Sequence, residues 1–306
     1  MNQNQMLPAV DKPLEPSVPD GTTIKLIGLG GVGSIVARYS ALFLASCGSE
    51  CRLVLIDGDA FDPSNAVRML FGQCGNKAAV LCAELMPKFV DTGLSVLAVP
   101  EYVTRENLPR LVVDGDIVML AVDNHATRKL VSDHCATLSD VCMISGGNDG
   151  VGLDGAGTFR RGTYGNVQVY VRADGRDTTP PLTHRHPEIE RPRDRHPNDM
   201  NCIDMMLSMP QILFTNLATA SAMLNTLWLH LCSALHYHEL AFDIADGLMR
   251  PVVPIPMSIG ETPGPTPKVV DAVSNAPAGN ESKRGRKHAV SADHRRKKPG
   301  RKSQST

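Results

Sequence analysis

The sequence predicts an α/β fold: a doubly wound, mostly parallel Rossmann-like sheet extended by antiparallel strands, with a disordered basic C-terminal tail. Three observations predict it. Short apolar strands alternate with helical runs through five β–α units between Ile24 and Ile144. A G-x-G-x-x-G turn made by Gly28, Gly30 and Gly33 follows the first strand and opens a helix. Beyond these, Gly165–Val171 alternates at period two, as an antiparallel strand with one wet face does.

Taken in order, residues 1–21 hold four prolines and no apolar period, and read as a disordered lead-in. Ile24, Leu26 and Ile27 form the first strand, and a helix runs from about Ser34 to Ser46, where Cys47-Gly48-Ser49 stops it. The second strand, Leu53 to Ile56, ends in Asp57, twenty-four residues after Gly33. That is the place of the acidic residue that receives a nucleotide ribose. Helices are expected at 76–90, 105–112 and 126–138, with strands at 94–99, 117–122 and 141–144. Residues 173–200 are rich in Pro, Arg, His and Asp and nearly free of apolar side chains, which predicts a long exposed crossover loop. A long apolar helix at 210–236 and strands at 241–244 and 248–252 complete an ordered domain of residues 22–256. Residues 257–306 are Pro-, Ser- and Lys/Arg-rich and read as the tail.

Composition narrows the function classes. No apolar run approaches the ~20 residues that span a bilayer, and the first residues carry neither a basic nor an apolar leader segment, so a cytoplasmic protein is expected. The eight cysteines contain no C-x-x-C pair, which argues against a zinc ribbon and for free thiols. The net charge of −1 hides an asymmetry: ten Lys and Arg against one acid from Lys283 onward, after an acidic body. Such a tail either solubilises or attracts nucleic acid weakly and without sequence readout.

The ordered motifs resemble the ThiF/MoeB/HesA superfamily of ubiquitin-activating-enzyme-like adenylyltransferases over roughly Thr23 to Val253. Gly28-Leu29-Gly30-Gly31-Val32-Gly33 matches the family's glycine loop, and Asp57 and Asp59 match its D-x-D. Ser64-Asn65 and Arg68 match S-N-x-x-R, eleven residues after Asp57 at Arg68. Lys77 opens the next helix where the family has its phosphate-contacting lysine, and Asp123-Asn124 matches the aspartate after the fourth strand. Asn201-Cys202 stands between crossover loop and long helix, as the family's sulfur-transfer or conjugating cysteine does. The family's C-x-x-C pairs are missing, no arginine precedes Lys25, and the Arg68–Lys77 interval is short. The loop and basic tail suggest a divergent branch, with the PRTRC-type ThiF-related proteins as the nearest.

The resemblance implies ATP and Mg²⁺ as cofactors, a small ubiquitin-fold or sulfur-carrier protein as partner, and a homodimer. It places Gly28, Gly30, Gly31, Gly33, Asp57, Asp59, Asn65, Arg68, Lys77 and Asp123 around the nucleotide, with Arg68, Lys77, Asp123 and Cys202 as catalytic residues and Asp123 on Mg²⁺. The chemistry agrees. Arg68 and Lys77 can neutralise a triphosphate, and an aspartate at a strand's carboxyl end suits a magnesium ion. Plainer readings stand beside these: Asn65 as a helix cap, Asp123-Asn124 as a strand-end turn, Cys202 as a packed small hydrophobe. The alternatives are an NAD(P)-dependent oxidoreductase, which shares the glycine loop and Asp57, and a non-catalytic nucleotide-binding scaffold that holds DNA through the tail. The long helix is either core or part of a dimer face.

Overall fold

A computed structural model describes residues 13–62, 66, 69–153, 157–199 and 210–253. The tail from residue 257 lies outside the described residues. Strand β1 (Thr23–Ile27) pairs in parallel with β2 (Cys51–Ile56). A short hairpin follows, β3 (Ala60–Phe61) with β4 (Gly75–Asn76). Strand β5 (Leu94–Val99) joins the outer side of β2, β6 (Ile117–Leu120) pairs with the other side of β1, and β7 (Val141–Asn148) lies beyond β6. These five strands are parallel. A second hairpin, β8 (Val151–Leu153) with β9 (Phe159–Arg161), precedes β10 (Tyr164–Ala173), which turns antiparallel against β7. After β11 (Arg176–Asp177), β12 (Glu239–Asp243) and β13 (Leu248–Val252) extend the sheet antiparallel. The sheet order is β13-β12-β10-β7-β6-β1-β2-β5, so the chain winds outward from β1 and returns beside it at β6. The switch point between β1 and β6 is where such sheets open a crevice at their carboxyl ends.

Helices cover both faces because the strands are apolar on both: in β6 all four residues are buried. Helix α1 (Gly33–Ser46) lays Val36, Ala37, Ala41 and Leu44 on one face. Helix α2 (Lys77–Leu85) ends in a 3₁₀ turn, Met86–Lys88, where Pro87 cannot continue it, so it is shorter than its apolar pattern suggested. Helices α3 (Leu108–Leu111) and α4 (His125–Cys135) pack on the opposite face with Leu108, Val131 and Cys135 buried. Helix α6 (Leu213–Leu231), the long one, buries Ala220, Met223, Leu227 and Leu231 but leaves Leu213, Phe214 and Leu217 exposed. It is therefore core along one stripe only.

Two expectations need correction. The segment 173–200 is not a wholly exposed loop. Its two isolated apolar residues, Leu182 and Ile189, are each 2% exposed and join the core on the α4 side. Ile189 sits in a one-turn helix, α5 (Pro187–Glu190), held over the sheet. Composition misled because two buried anchors are enough to seat a polar segment. The lead-in is likewise tied down in part: Val18 is buried, Ser17 donates its N–H to the Leu231 carbonyl, and Asp20 accepts from the Glu50 N–H.

His186 is the polar anchor of the crossover segment. Its Nδ1 meets Glu188 at 2.8 Å and its Nε2 meets Glu239 of β12 at 2.9 Å. Burial opposes charge on the ring, but these two carboxylates prevail and lift its pKa above the ordinary 6.5. Burial works against the Glu239 carboxylate as well, yet His186, Asn166 and Arg185 bring its pKa below 4.5. The pair therefore stabilises the fold most above the ordinary carboxylate value and below the ordinary imidazole value, and its contribution fades as pH rises through the raised pKa of His186. In urea unfolding, His186→Gln should cost more stability near about pH 5.5 than near about pH 8.5. Equal costs at the two pH values would show that the ring is held by packing alone.

Candidate nucleotide site

The glycine loop connects β1 to α1 across the switch point. Gly28 has φ +88°, and a Cβ there would stand 2.8 Å from the Ala121 carbonyl oxygen at the end of β6. Gly33 packs so closely on the loop that an added Cβ would lie 1.8 Å from the Gly28 oxygen. A Cβ at Gly30 would meet open space, so this is the side from which a ligand reaches the backbone. Helix α1 starts at Val32–Gly33 with no capping side chain and no acidic residue in its first turn. The Ser34 and Ile35 N–H groups turn back onto the Gly30 and Val32 carbonyls, so it is the glycine-loop backbone ahead of them, with the positive end of the helix dipole, that suits an anion.

Two other helix starts near the crevice are occupied, while α6 begins without a side-chain cap. Asn76 caps α2 by accepting from the Ala79 N–H, and its Nδ2 donates to the Asp57 carbonyl at 2.8 Å and the Asp59 carbonyl at 3.1 Å. Asn124 caps α4 through the Thr127 N–H, while Asp194 of the crossover segment accepts from the His125 and Ala126 N–H groups at 2.7 and 2.9 Å.

Asp57, at the end of β2, is only 8% exposed. Its Oδ2 accepts the Leu29 N–H at 2.5 Å and its Oδ1 the Asp59 N–H at 2.7 Å. Burial raises its pKa, partly offset by Lys77 and these two N–H donors. A carboxylate has roughly four acceptor positions, so two remain for hydroxyl donors. Asp59 receives the Lys77 ammonium at 2.8 Å and the Tyr102 hydroxyl on its other oxygen. Lys77 is itself buried at 7% exposure. Burial and Asp59 push the Tyr102 hydroxyl far above its ordinary range, so it remains a donor. An open groove of about 340 Å³ adjoins this turn, lined by Gly58, Pro100, Glu101, Tyr102, Thr104, Asn107 and Asn198.

Asp123 follows β6, is exposed, and exerts its charge on both Tyr102 and Arg128. Arg128 was not singled out by its place in the sequence. Its guanidinium is buried, donating to the Val122 carbonyl, to Ser145 Oγ and to the Gly146 carbonyl at 2.7 Å. Burial lowers its pKa to about 10, against the pull of Asp123 and Asp194. It thus staples the turn that carries Asp123 to the end of β7.

The structure therefore gathers Gly28, Gly30, Gly31, Gly33, Asp57, Asp59, Lys77 and Asp123 at the carboxyl ends of β1, β2 and β6. Asn65, Arg68 and Cys202 lie outside the described residues. Sequence reading missed Asn76, Tyr102, Arg128 and Asp194; of these only Asn76, an asparagine directly before a helix, carries a local signal. No group of three or more metal-ligating side chains forms among the described residues, and no helix among them is long and apolar enough to cross a membrane. The seven described cysteines are free, with Cys74 exposed rather than packed.

Comparison with known proteins gives the same picture. The chain is 31% identical over 141 residues to the adenylyltransferase and sulfurtransferase MOCS3-2 of Zea mays, covering 44% of this chain and 27% of that one. It is 31% identical over 115 residues to the SAMP-activating enzyme E1 of Haloferax volcanii, covering 37% and 40% of the two chains. The matched segments thus span less than half the length of these relatives. Among solved structures, E. coli MccB with ATP superposes at TM-score 0.54 with 15% identity, over 77% of this chain and 64% of the other. PaaA superposes at 0.52 with 16% identity, over 76% and 65%. These structures share the fold. The ThiF family model matches residues 20–235, most of the described chain, and the protein belongs to the ThiF family.

Proposed function

We propose that this protein is an ATP-dependent adenylyltransferase that activates the C-terminal carboxylate of a small ubiquitin-like or sulfur-carrier protein. The observation that carries the proposal is the contrast among helix starts: α1 is uncapped behind a glycine loop, while α2 and α4 are capped by side chains. The backbone therefore offers an anion hole at the switch point. Family membership and the adenylyltransferase relatives support ATP over a nicotinamide nucleotide.

In this reading the chain's work is positioning and charge. Asp57 and the groove beside Tyr102 receive the nucleoside, Asp57 accepting from ribose hydroxyls with its two remaining positions. The α1 start and the glycine loop hold phosphate oxygens. Lys77 has one donor on Asp59 and two left for phosphate. Arg68 and Asn65 would add donors where two anions approach. The donor chemistry at Asp123 fits a magnesium ion, which when bound would withdraw charge from the phosphates. The partner's carboxylate oxygen bonds to the α-phosphorus, pyrophosphate departs, and an acyl-adenylate remains. Onward transfer through Cys202 belongs to the same proposal.

Two exposed apolar pairs on adjacent helices, Tyr39 with Leu42 on α1 and Phe214 with Leu217 on α6, support a homodimer through this face. The basic segment from Lys283 is proposed to contact nucleic acid through phosphates only. The ordered catalytic unit is taken as residues 22–256, and free thiols suit the cytoplasm.

With a carrier ending in Gly-Gly, the protein should catalyse carrier-dependent exchange of labelled pyrophosphate into ATP. Asp123→Asn should lower that exchange by about a hundredfold or more, the scale of losing one charge-positioning group. ATP–Mg²⁺ should raise Tm and NAD should not; a rise with NAD alone would replace this reading with a dehydrogenase. Asp57→Asn turns one acceptor into a donor facing a backbone N–H, and should cost about 1–3 kcal/mol of stability, read in urea melts. Sedimentation of a Leu42→Glu, Phe214→Glu double variant should show monomers where the native chain gives dimers.

A further inference from the structure

We propose that Asn216 is a phosphate-contacting donor, reaching the nucleotide across the glycine loop from the side opposite Asp57. This rests on the adenylyltransferase reading and assigns a residue that neither the glycine motif nor the D-x-D motif contains. Asn216 lies in the first turn of α6 and is fully buried. Its Oδ1 accepts from Asn148 Nδ2 at 3.0 Å, and this assignment of the two amides also turns Asn148 Nδ2 toward the Asp149 carbonyl, 3.5 Å away. The Asn216 Nδ2, like Asn148 Oδ1, is then left without a hydrogen-bond partner among the described residues. A buried amide donor without a partner is costly, and native interiors seldom keep one unless something else receives it.

The direction of that orphan donor is set by Gly31. A Cβ at position 31 would stand 2.2 Å from Asn216 Nδ2, so the amide lies directly against the loop where any side chain would exclude it. Gln211 Oε1 approaches the same point at 3.5 Å. The G-x-G-x-x-G pattern does not itself require a glycine at 31, and contact with Asn216 accounts for one there. Asn148, at the end of β7, acts as the brace: its Nδ2 engages Asn216 and reaches the Asp149 carbonyl at 3.5 Å. An anion seated on the α1 start would thus meet backbone N–H groups from the loop and a neutral side-chain donor from α6. A neutral donor fits beside the buried Lys77 because it adds a hydrogen bond without a further buried charge.

The test is isothermal titration of the full chain with ATP–Mg²⁺, AMP and adenosine. Asn216→Asp replaces the donor by an anion of the same shape and should weaken ATP and AMP by about tenfold or more. Adenosine affinity should stay within about twofold, because that ligand lacks the phosphate. Asn216→Leu removes the donor without adding repulsion and should show a smaller loss of the same pattern, which keeps the test open if the aspartate variant folds poorly. Native affinities for ATP and AMP in both variants would overturn the proposal. Equal weakening of adenosine and ATP would overturn it too, since the amide would then only shape the loop. A native chain that binds NAD and neither ATP nor AMP defeats the parent reading, a result visible before any variant is made.

Discussion

The candidate site depends on the buried carboxylate of Asp57. One oxygen holds the Leu29 N–H of the glycine loop and the other the Asp59 N–H of the following turn. Two loops from different strands are thereby locked at a fixed separation over the switch point. The carboxylate is held in a place that disfavours its charge, and two backbone N–H groups with Lys77 nearby offset much of that cost. Asn76 reinforces the same joint from the start of α2, binding the Asp57 and Asp59 carbonyls. Asp57 is therefore a structural tie, and the acceptor role proposed for it would use different lone pairs.

Charge around the crevice is arranged in pairs that leave one kind of capacity unused. Lys77 is matched by Asp59, and Arg128 is spent on carbonyl oxygens and Ser145. What remains open is donor capacity: the α1 start, two protons of Lys77 and the Asn216 amide. The acceptors left are the remaining lone pairs of Asp57 and the exposed Asp123. A crevice with surplus donors and one exposed aspartate is suited to an anion that arrives with a metal ion.

Much of this was legible in the sequence, and the reason is local. The parallel units have short, mostly apolar strands and a glycine turn, whose geometry is dictated by sterics within a few residues. Gly28, Gly33 and Asp57 could be placed because their spacing reports directly on one βαβ unit. Arg128, Asp194 and Asn216 could not. Each acts on a partner from a distant part of the chain: Arg128 on β7, Asp194 on α4 sixty-nine residues earlier, Asn216 on Gly31. No periodicity encodes such a meeting. The crossover segment failed for the opposite reason, since its many polar residues outvoted Leu182 and Ile189, although burial of those two side chains decides where the segment lies.

That segment also explains why the α4 start is closed to a ligand. Helix α4 begins beside Asp123 and would rival α1 for an anion if its first N–H groups were bare. Asp194 neutralises two of them and Asn124 a third. Asp194 can reach only because Ile189 is buried nearby and His186 is pinned between Glu188 and Glu239. The antiparallel extension thus contributes to the candidate site without touching it. Strand β12 supplies Glu239, Glu239 fixes the strap, and the strap closes the competing anion hole. In the proposed reading, the choice of α1 over α4 as the anion site is thus set from the far side of the sheet, through the Asp194 carboxylate that fills the α4 start.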